Sequence, residues 1–540
     1  MSESARPTGE DPLSNPPDVP VLIVGAGPVG AVLALELARH GVTSMLVDRA
    51  TSASPHPKMD YTNGRSMELL RRLAVTDEIR QRGVPPEHPF TFIWSRDFAE
   101  PPIATWHYSS VQELRDRIEA VNDGTMPAEP HQRLQGSLLE ELLRARVDAH
   151  PLVDFRPGFA LRELEQGAED VLASLVQAGT GVEHRVRASY AVGCDGAAST
   201  VRDQLGIGVG LLGPPTQHRD VYFRSTDPVL RRHGRAFLTI AAGGLTLVSR
   251  DERDTWTGTV HLADEAARAE DPVQQMRRNL GVDFGVDEVL SIVEWEGCLG
   301  IADAYGRGRV FLAGDAAHQF YPTGGHGANT GIADAVDIGW KLAGRLRGWG
   351  GDALLDSYQA ERRPVALFNR EMCANLLEVW LRFARLVAGA ASRQQIAGFL
   401  AHETYQLDNL GIHFGYRYEA SPVVCREDDP PRWEWDRIVP TTWPGSRAPS
   451  VRLTDDTLLF DRLDAGFTLV DLSGTGAGKG VIDAARRRGM PVAHLPLDDP
   501  AVREAWEREL VLVRPDHHVA WRGSARPTDW DTVLAKVSGH

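Results

Sequence analysis

Three separated stretches of this chain end an apolar strand in glycines or an acid, which is chemistry suited to holding phosphates and sugar hydroxyls rather than to cutting bonds. The first is VPVLIVGAGPVGAVLALELARHGVTSMLVDRA, residues 19–50, with Gly25, Gly27 and Gly30 at G-x-G-x-x-G spacing. In that pattern one glycine makes the turn, the second lets a pyrophosphate approach the backbone, and the third lets helix and strand pack closely. Pro28 stands at the helix start, where free N–H groups and a positive dipole end face the phosphates. Asp48, followed by Arg49, closes the next strand, where a carboxylate accepts hydrogen bonds from a ribose.

The second stretch, YAVGCDGAASTVRDQLGI, runs a strand into Asp195-Gly196 and then places Ser199 and Arg202 at helical spacing. Alone it reads equally well as a turn with a capped helix. The third, RVFLAGDAAHQFYPTGGHGANTGIADA, stops an apolar run at Gly314-Asp315 and continues into a glycine-rich loop that opens a helix. Gly324, Gly325 and Gly327 keep side chains away, so that main chain alone faces whatever lies beside the loop.

These stretches need a large scaffold. At 540 residues the chain is long enough for two or three domains, and its formal charge of -16 argues against a nucleic-acid partner. The four cysteines, at 194, 298, 373 and 425, are scattered without a C-x-x-C or a histidine at ligand spacing, which fits a reducing cytoplasmic setting and no metal. Residues 1–18 are rich in Pro and Ser, lack the regions of a signal peptide, and read as a disordered tail. The apolar run from Val19 to Leu35 is interrupted by Gly and Pro and reads as strand, turn and helix, so no membrane span is expected. SGTGAGKG, residues 473–480, has Ser473 in place of the first glycine of a phosphate loop and Gly480 in place of its Ser/Thr, and reads as a turn. His517-His518 has the wrong spacing for a metal pair.

With three ordered motifs, G-x-G-x-x-G, D-G-x-x-S-x-x-R and G-D followed by P-x-G-G-x-G-x-N, the chain resembles the single-component, class A FAD-dependent aromatic hydroxylases, a family that includes phenol and polyketide hydroxylases. The resemblance runs from about residue 19 to 370. It implies an α/β fold: a Rossmann-like FAD-binding domain of the p-hydroxybenzoate hydroxylase type, an α+β substrate domain with an antiparallel sheet, and a thioredoxin-like C-terminal domain. The expected segments are 19–87, 128–212 and 290–365 for FAD, 88–127 and 213–289 for substrate, a helical connection over 366–415, and 440–540 for the last domain.

By the same resemblance the cofactor contacts are Gly25, Gly27, Pro28, Gly30, Asp48 and Arg49; Lys58 near the pyrophosphate; Arg133 and Gln135 at a helix start, the glutamine one place early; Asp195; and Gly314, Asp315, Pro322, Gly325, Gly327, Ala328 and Asn329. Asp315 is expected at the ribityl hydroxyls, and the N–H groups of Gly327, Ala328 and Asn329 at the pyrimidine end of the ring. Tyr321, Pro322 and His326 are candidates at the flavin face, and no general base is assigned. The implied activity is NAD(P)H- and O2-dependent hydroxylation of a phenolic or polycyclic aromatic through a C4a-hydroperoxyflavin, with tightly bound FAD and transient NADPH or NADH. Alternatives are an oxygenative relative, of Baeyer-Villiger or ring-opening type, or a flavin reductase or dehydrogenase without oxygen transfer. A homodimer is a possible assembly. Tyr222, Phe237, Leu247 and Trp256 are expected in the substrate domain, either as cavity lining or as core.

Overall fold

The computed structural model describes residues 18–407, 409–527 and 529–540, so the expected tail lies, apart from Asp18, outside the described residues. The apolar run Val19–Val24 becomes a strand flanked on both sides by parallel neighbours, Glu183–Gly193 and Ser44–Asp48. Burial on both faces explains its unbroken apolar character, since Val21, Leu22 and Ile23 have no exposed surface. Val310–Leu312 adds to the outer side of Glu183–Gly193, and Val153–Pro157 to the outer side of Ser44–Asp48. The register aligns Val47 with Val24, Val24 with Gly193, and Gly193 with Leu312. All three motifs therefore emerge from adjacent strand ends, along an edge about 14 Å wide at the usual strand spacing.

Two helices cover one face of this sheet, Pro28–Arg39 and His326–Leu346. They approach so closely that a Cβ at Gly331 would stand 2.6 Å from Val29 Cγ2 and 2.9 Å from the Cα of Gly314, which requires glycine there. The helix Asp352–Ala388 follows, reaching from Tyr358, whose hydroxyl donates to Leu312 O, to Phe383 beneath a second sheet. It runs without interruption through residue 365, where the sequence suggested a boundary.

The second sheet has seven strands in the order Glu288–Gly297, Thr216–Arg224, Thr255–His261, Leu245–Ser249, Leu238–Ala241, Phe90–Ser95 and Ala104–Tyr108. Its pairs are antiparallel except for Leu238–Ala241 with Phe90–Ser95. The first of these strands carries the sheet on to Gly297, beyond the limit of 289 read from sequence. Side chains alternate: Val221, Phe223, Leu247, Trp256 and Val260 fill a core on one face, whereas Thr216, His218, Asp220 and Tyr222 share the other, which faces the first domain. Leu247 and Trp256 are thus core, while Tyr222 is half-buried with its hydroxyl on Gln135.

The C-terminal sheet is mixed: Val492–Pro496 and Phe467–Asp471 are parallel, and Leu510–Val513 and Val519–Gly523 complete it antiparallel. It docks on the back of the helix His326–Leu346 through Trp340, whose ring meets Phe467 edge-on at 5.7 Å. Beside that contact Arg514 binds Glu361 at 2.7 Å and Asp337 at 3.1 Å, and Lys341 reaches the same two carboxylates at 2.6 Å each, all fully buried. No helix among the described residues is long and apolar enough to cross a membrane, and none of their His, Cys, Asp and Glu side chains group to hold a metal.

Candidate active site

Gly25, at φ +106°, makes the first turn, and a Cβ there would stand 2.4 Å from Cys194 O. Gly27 is different: a Cβ on it would meet nothing within 4 Å, so the space above it is open, as a ligand pressed to the backbone requires. The helix beginning at Pro28 has no side-chain cap, which leaves its first amides free for phosphate oxygens. Asp48 accepts from the amides of Ala26 and Ala50, both at 2.7 Å, which fixes its carboxylate beside the turn. Arg144, from the helix Gly136–Asp148, adds an ion pair to Asp48 at 3.1 Å and donates to Ala26 O at 3.1 Å. Sequence reading missed Arg144, because nothing local marks a helical arginine that reaches a turn more than a hundred residues away.

The second motif supports the third. Asp195 accepts from Ser199 Oγ at 2.5 Å and from Val201 N at 3.1 Å, and Ser199 caps the short helix Thr200–Gln204. Arg202 is thereby aimed across the strand ends, where it donates to Ala316 O at 3.3 Å, next to Asp315. From the other side the buried Asp334 accepts from Gly314 N at 3.3 Å, His318 Nε2 at 2.7 Å and Arg362 Nε at 2.8 Å. Burial would raise the Asp334 carboxyl, but the charges of His318 and Arg362 hold it below the usual carboxylate range.

Asp315 itself is the unspent group. It is exposed and makes no hydrogen bond or ion pair among the described residues. Desolvation by the surrounding protein raises its pKa, with His318 and Lys58 pulling partly the other way. Its oxygens are not spent on the protein and are open to a ligand's hydroxyl donors. Across from it, Gly324 at φ +78° and Gly325 at φ +67° turn the chain into the helix His326–Leu346, which has no side-chain cap. Asn329 braces that start: its Oδ1 accepts from Asn63 N at 2.9 Å and its Nδ2 donates to Tyr61 O at 3.0 Å and Gly325 O at 2.6 Å. The first amides of the helix, Gly327 and Ala328 among them, present a positive dipole end suited to an electron-rich ring. An open backbone cradle, an unpartnered carboxylate and an uncapped helix start in one row fit FAD.

The remaining expected residues divide. Lys58 is exposed and its charge offsets part of the rise that burial gives the Asp315 and Glu140 carboxyls, and Arg49 is exposed beyond Asp48. Arg133 is committed elsewhere: its guanidinium reaches Asp60 at 3.3 Å, Glu252 at 2.7 Å and Ser249 O at 2.5 Å, and lies 4.3 Å over Phe237. Gln135 precedes the helix Gly136–Asp148 and accepts from Tyr222 OH at 3.0 Å, so both side chains join the first domain to the second sheet. Tyr321 does likewise, its hydroxyl shared between Thr216 Oγ1 at 2.5 Å and Gly297 O at 3.0 Å. His326 is buried against Gly324 and the ring of His413, 5.7 Å away, and burial lowers its pKa to about 4.

Between these tethers lies a row of polar side chains that sequence reading did not single out. His218 stacks on Trp295 at 4.5 Å, bonds Thr216 Oγ1 at 2.8 Å and stands edge-on to Tyr321 at 5.8 Å. Burial lowers its pKa to about 4, so the imidazole is neutral near pH 7. Asp220 pairs with His56 Nε2 at 3.5 Å, and His56 Nδ1 is 2.8 Å from Ser291 Oγ. The alternation of TQHRDVYFR places 216, 218, 220 and 222 on one face, but a polar face opposite an apolar core is also the pattern of a solvated strand, so nothing in the sequence marked this face as covered.

The FAD binding domain family matches residues 18–369, and the aromatic-ring hydroxylase C-terminal family matches residues 441–540. The chain is 35% identical to the FAD-dependent monooxygenase apdD of Emericella nidulans, over 96% of this chain and 90% of that protein. It is 32% identical to the aklavinone 12-hydroxylase RdmE of Streptomyces purpurascens, over 97% of this chain and 98% of that protein. Among solved structures, RebC-10x, native and K252c-bound, superimposes with a TM-score of 0.86 at 34% identity, covering 97% of this chain and 100% of that one. With its flavin cradle, its mixed C-terminal sheet and these relatives, the chain belongs to the FAD-dependent aromatic-ring hydroxylases and is a flavoprotein monooxygenase.

Proposed function

We propose that the enzyme hydroxylates an electron-rich, phenolic and polycyclic arene seated between the Thr216–His218–Asp220–Tyr222 row and the Pro322–Asn329 loop. The reading is carried by that row, four alternate side chains of one strand turned toward the cofactor domain, with an aromatic wall at Trp295 and Tyr321. Bound FAD supplies the electron transfer from NADPH or NADH and the activation of O2. The chain supplies the rest. Asp48 and the amides after Gly27 would hold the nucleotide end, Asp315 would hold the sugar chain, and the helix start at Gly327–Asn329 would favour negative charge at the ring.

His218, neutral and anchored on Thr216, accepts the hydrogen of a phenol placed against Trp295, which raises the electron density of the arene. Tyr321 and the His56–Asp220 pair close the seam between domains and keep water from the reacting atoms. The name of the relative RdmE, an aklavinone hydroxylase, supports a fused-ring substrate. The four cysteines, all free and three of them buried, fit a cytoplasmic setting.

The test is NADPH oxidation and O2 uptake by the holoenzyme against a panel of simple and fused-ring phenols. Stimulation by fused-ring phenols, with one oxygen added to the product, is expected, and His218→Asn should cut kcat while leaving flavin content unchanged. Stimulation without an oxygenated product from any phenol would overturn the proposal.

A further inference from the structure

A cavity of about 220 Å3 lies far from the flavin row, in the cleft between the first helix of the FAD domain and the C-terminal domain. Arg39, Arg71 and Arg72 line it from one side, with Phe460, Asp461 and His517 from the other. In a chain with a net charge of -16, three arginines around one void stand out. Their pairing is unequal. Arg71 is satisfied, holding both oxygens of Asp461 at 2.7 Å and Glu129 at 2.6 Å. Arg72 is not: its side chain is 5% exposed, its Nη2 reaches Glu36 at 2.8 Å, but its Nε and Nη1 are buried without any partner. Arg39 makes only a long bond, 3.4 Å, to Ala465 O.

His517 lies against Phe460 at 4.3 Å with its Nδ1 also buried and unpartnered. Guanidinium N–H groups stripped of water and left unbonded are costly unless an acceptor fills the space. Burial and then the Arg72 charge lower the Arg39 pKa to about 10 against the pull of Glu36 and Asp464, and burial followed by Arg72, Arg65 and Arg447 holds His517 well below the usual imidazole range against the pull of Asp516. Glu68, which also lines the cavity, offers no compensation, because Arg65 and Arg447 already claim it.

We propose that this interdomain cavity is a second ligand site that binds a phosphate dianion through Arg39 and Arg72, either free phosphate or the phosphomonoester of a nucleotide. Planar guanidinium groups with unspent donors match phosphate oxygens, and the cavity holds a group of that size with room for its attachment. A ligand there would bridge the first helix of the FAD domain to the C-terminal domain.

The experiment is calorimetric titration of the FAD-loaded holoenzyme, in which the flavin's own phosphate cradle is filled, with inorganic phosphate and then with 2′,5′-ADP. Saturable binding of one phosphate per chain is expected, weakened at least tenfold in both Arg39→Gln and Arg72→Gln. Asp461→Asn, which releases Arg71, should tighten it. Displacement of phosphate by 2′,5′-ADP identifies a nucleotide phosphomonoester as the ligand, and failure to displace it identifies free phosphate. If loss of the guanidinium that pairs buried Glu36 keeps Arg72→Gln from folding, Arg39→Gln, whose only hydrogen bond is long, carries the comparison. No saturable binding of either ligand, or binding that Arg39→Gln leaves unchanged, overturns the proposal.

Discussion

Gly27 and Gly30 belong to one motif, yet the structure predicts that replacing each with alanine has opposite consequences. At Gly27 the backbone is extended, φ -68° and ψ -178°, and an added methyl would meet no protein atom within 4 Å. Alanine there costs up to about 1 kcal/mol as a poorer helix N-cap, and the reduced freedom of the unfolded chain returns about 0.4–1 kcal/mol. The apoprotein should therefore keep its stability to within about 1 kcal/mol. The methyl does occupy the space a pyrophosphate needs. Losing one amide bond to a charged oxygen costs about 1.5–3 kcal/mol, or roughly 10- to 150-fold in FAD affinity. At Gly30 the added Cβ would lie 1.9 Å from Gly25 O, so backbone has to move, and a loss of at least about 3 kcal/mol of fold stability is expected. Urea unfolding of the apoproteins and fluorescence titration with FAD separate the two effects. The reasoning fails if Gly27→Ala destabilises the apoprotein as much as Gly30→Ala does, or if it binds FAD like the wild type.

Asp315→Asn should weaken FAD binding by about 1.5–3 kcal/mol while leaving apoprotein unfolding unchanged, since the carboxylate has no partner in the protein to lose. Glu68→Gln, by contrast, strips a buried carboxylate from Arg447 at 2.5 and 2.9 Å and Arg65 at 3.0 Å; a loss of about 3–5 kcal/mol in urea unfolding is expected. His326, with a pKa lowered to about 4 by burial, is neutral in the fold at pH values where the unfolded chain takes up a proton. Its contribution is complete above about pH 6.5 and is lost as pH falls toward 4, reaching about 3 kcal/mol. The wild type should accordingly lose more stability than His326→Gln between pH 7 and 4.5, measured by urea unfolding at each pH.

The flavin row was legible in the sequence because each of its parts is local. A strand, a glycine spacing or an acid at a strand end is written within about 30 residues, the length of one βαβ unit. What escaped reading was long-range. Arg144 reaches Ala26 across 118 positions, and Arg133 spends its guanidinium on Glu252 across 119, so neither its partners nor its availability to a cofactor is encoded nearby. The face of the second sheet was hidden for a similar reason: alternation marks His218 and Asp220 as one side of a strand, but only the packing of the two domains shows that this side is covered. The limit at 289 fell inside a strand because Glu288–Gly297, EVLSIVEWEG, is largely exposed and lacks the apolar signature of a buried strand.

The central claim, that FAD lies along the strand ends at Val24, Gly193 and Leu312, is tested most directly by a crystal structure of the holoenzyme. The account predicts the pyrophosphate against Gly27, the sugar chain within hydrogen-bond distance of the Asp315 carboxylate, and the flavin ring beside the amides of Gly327 and Ala328. A cofactor bound away from this edge, or an Asp315 carboxylate still without a partner in the FAD complex, would contradict it.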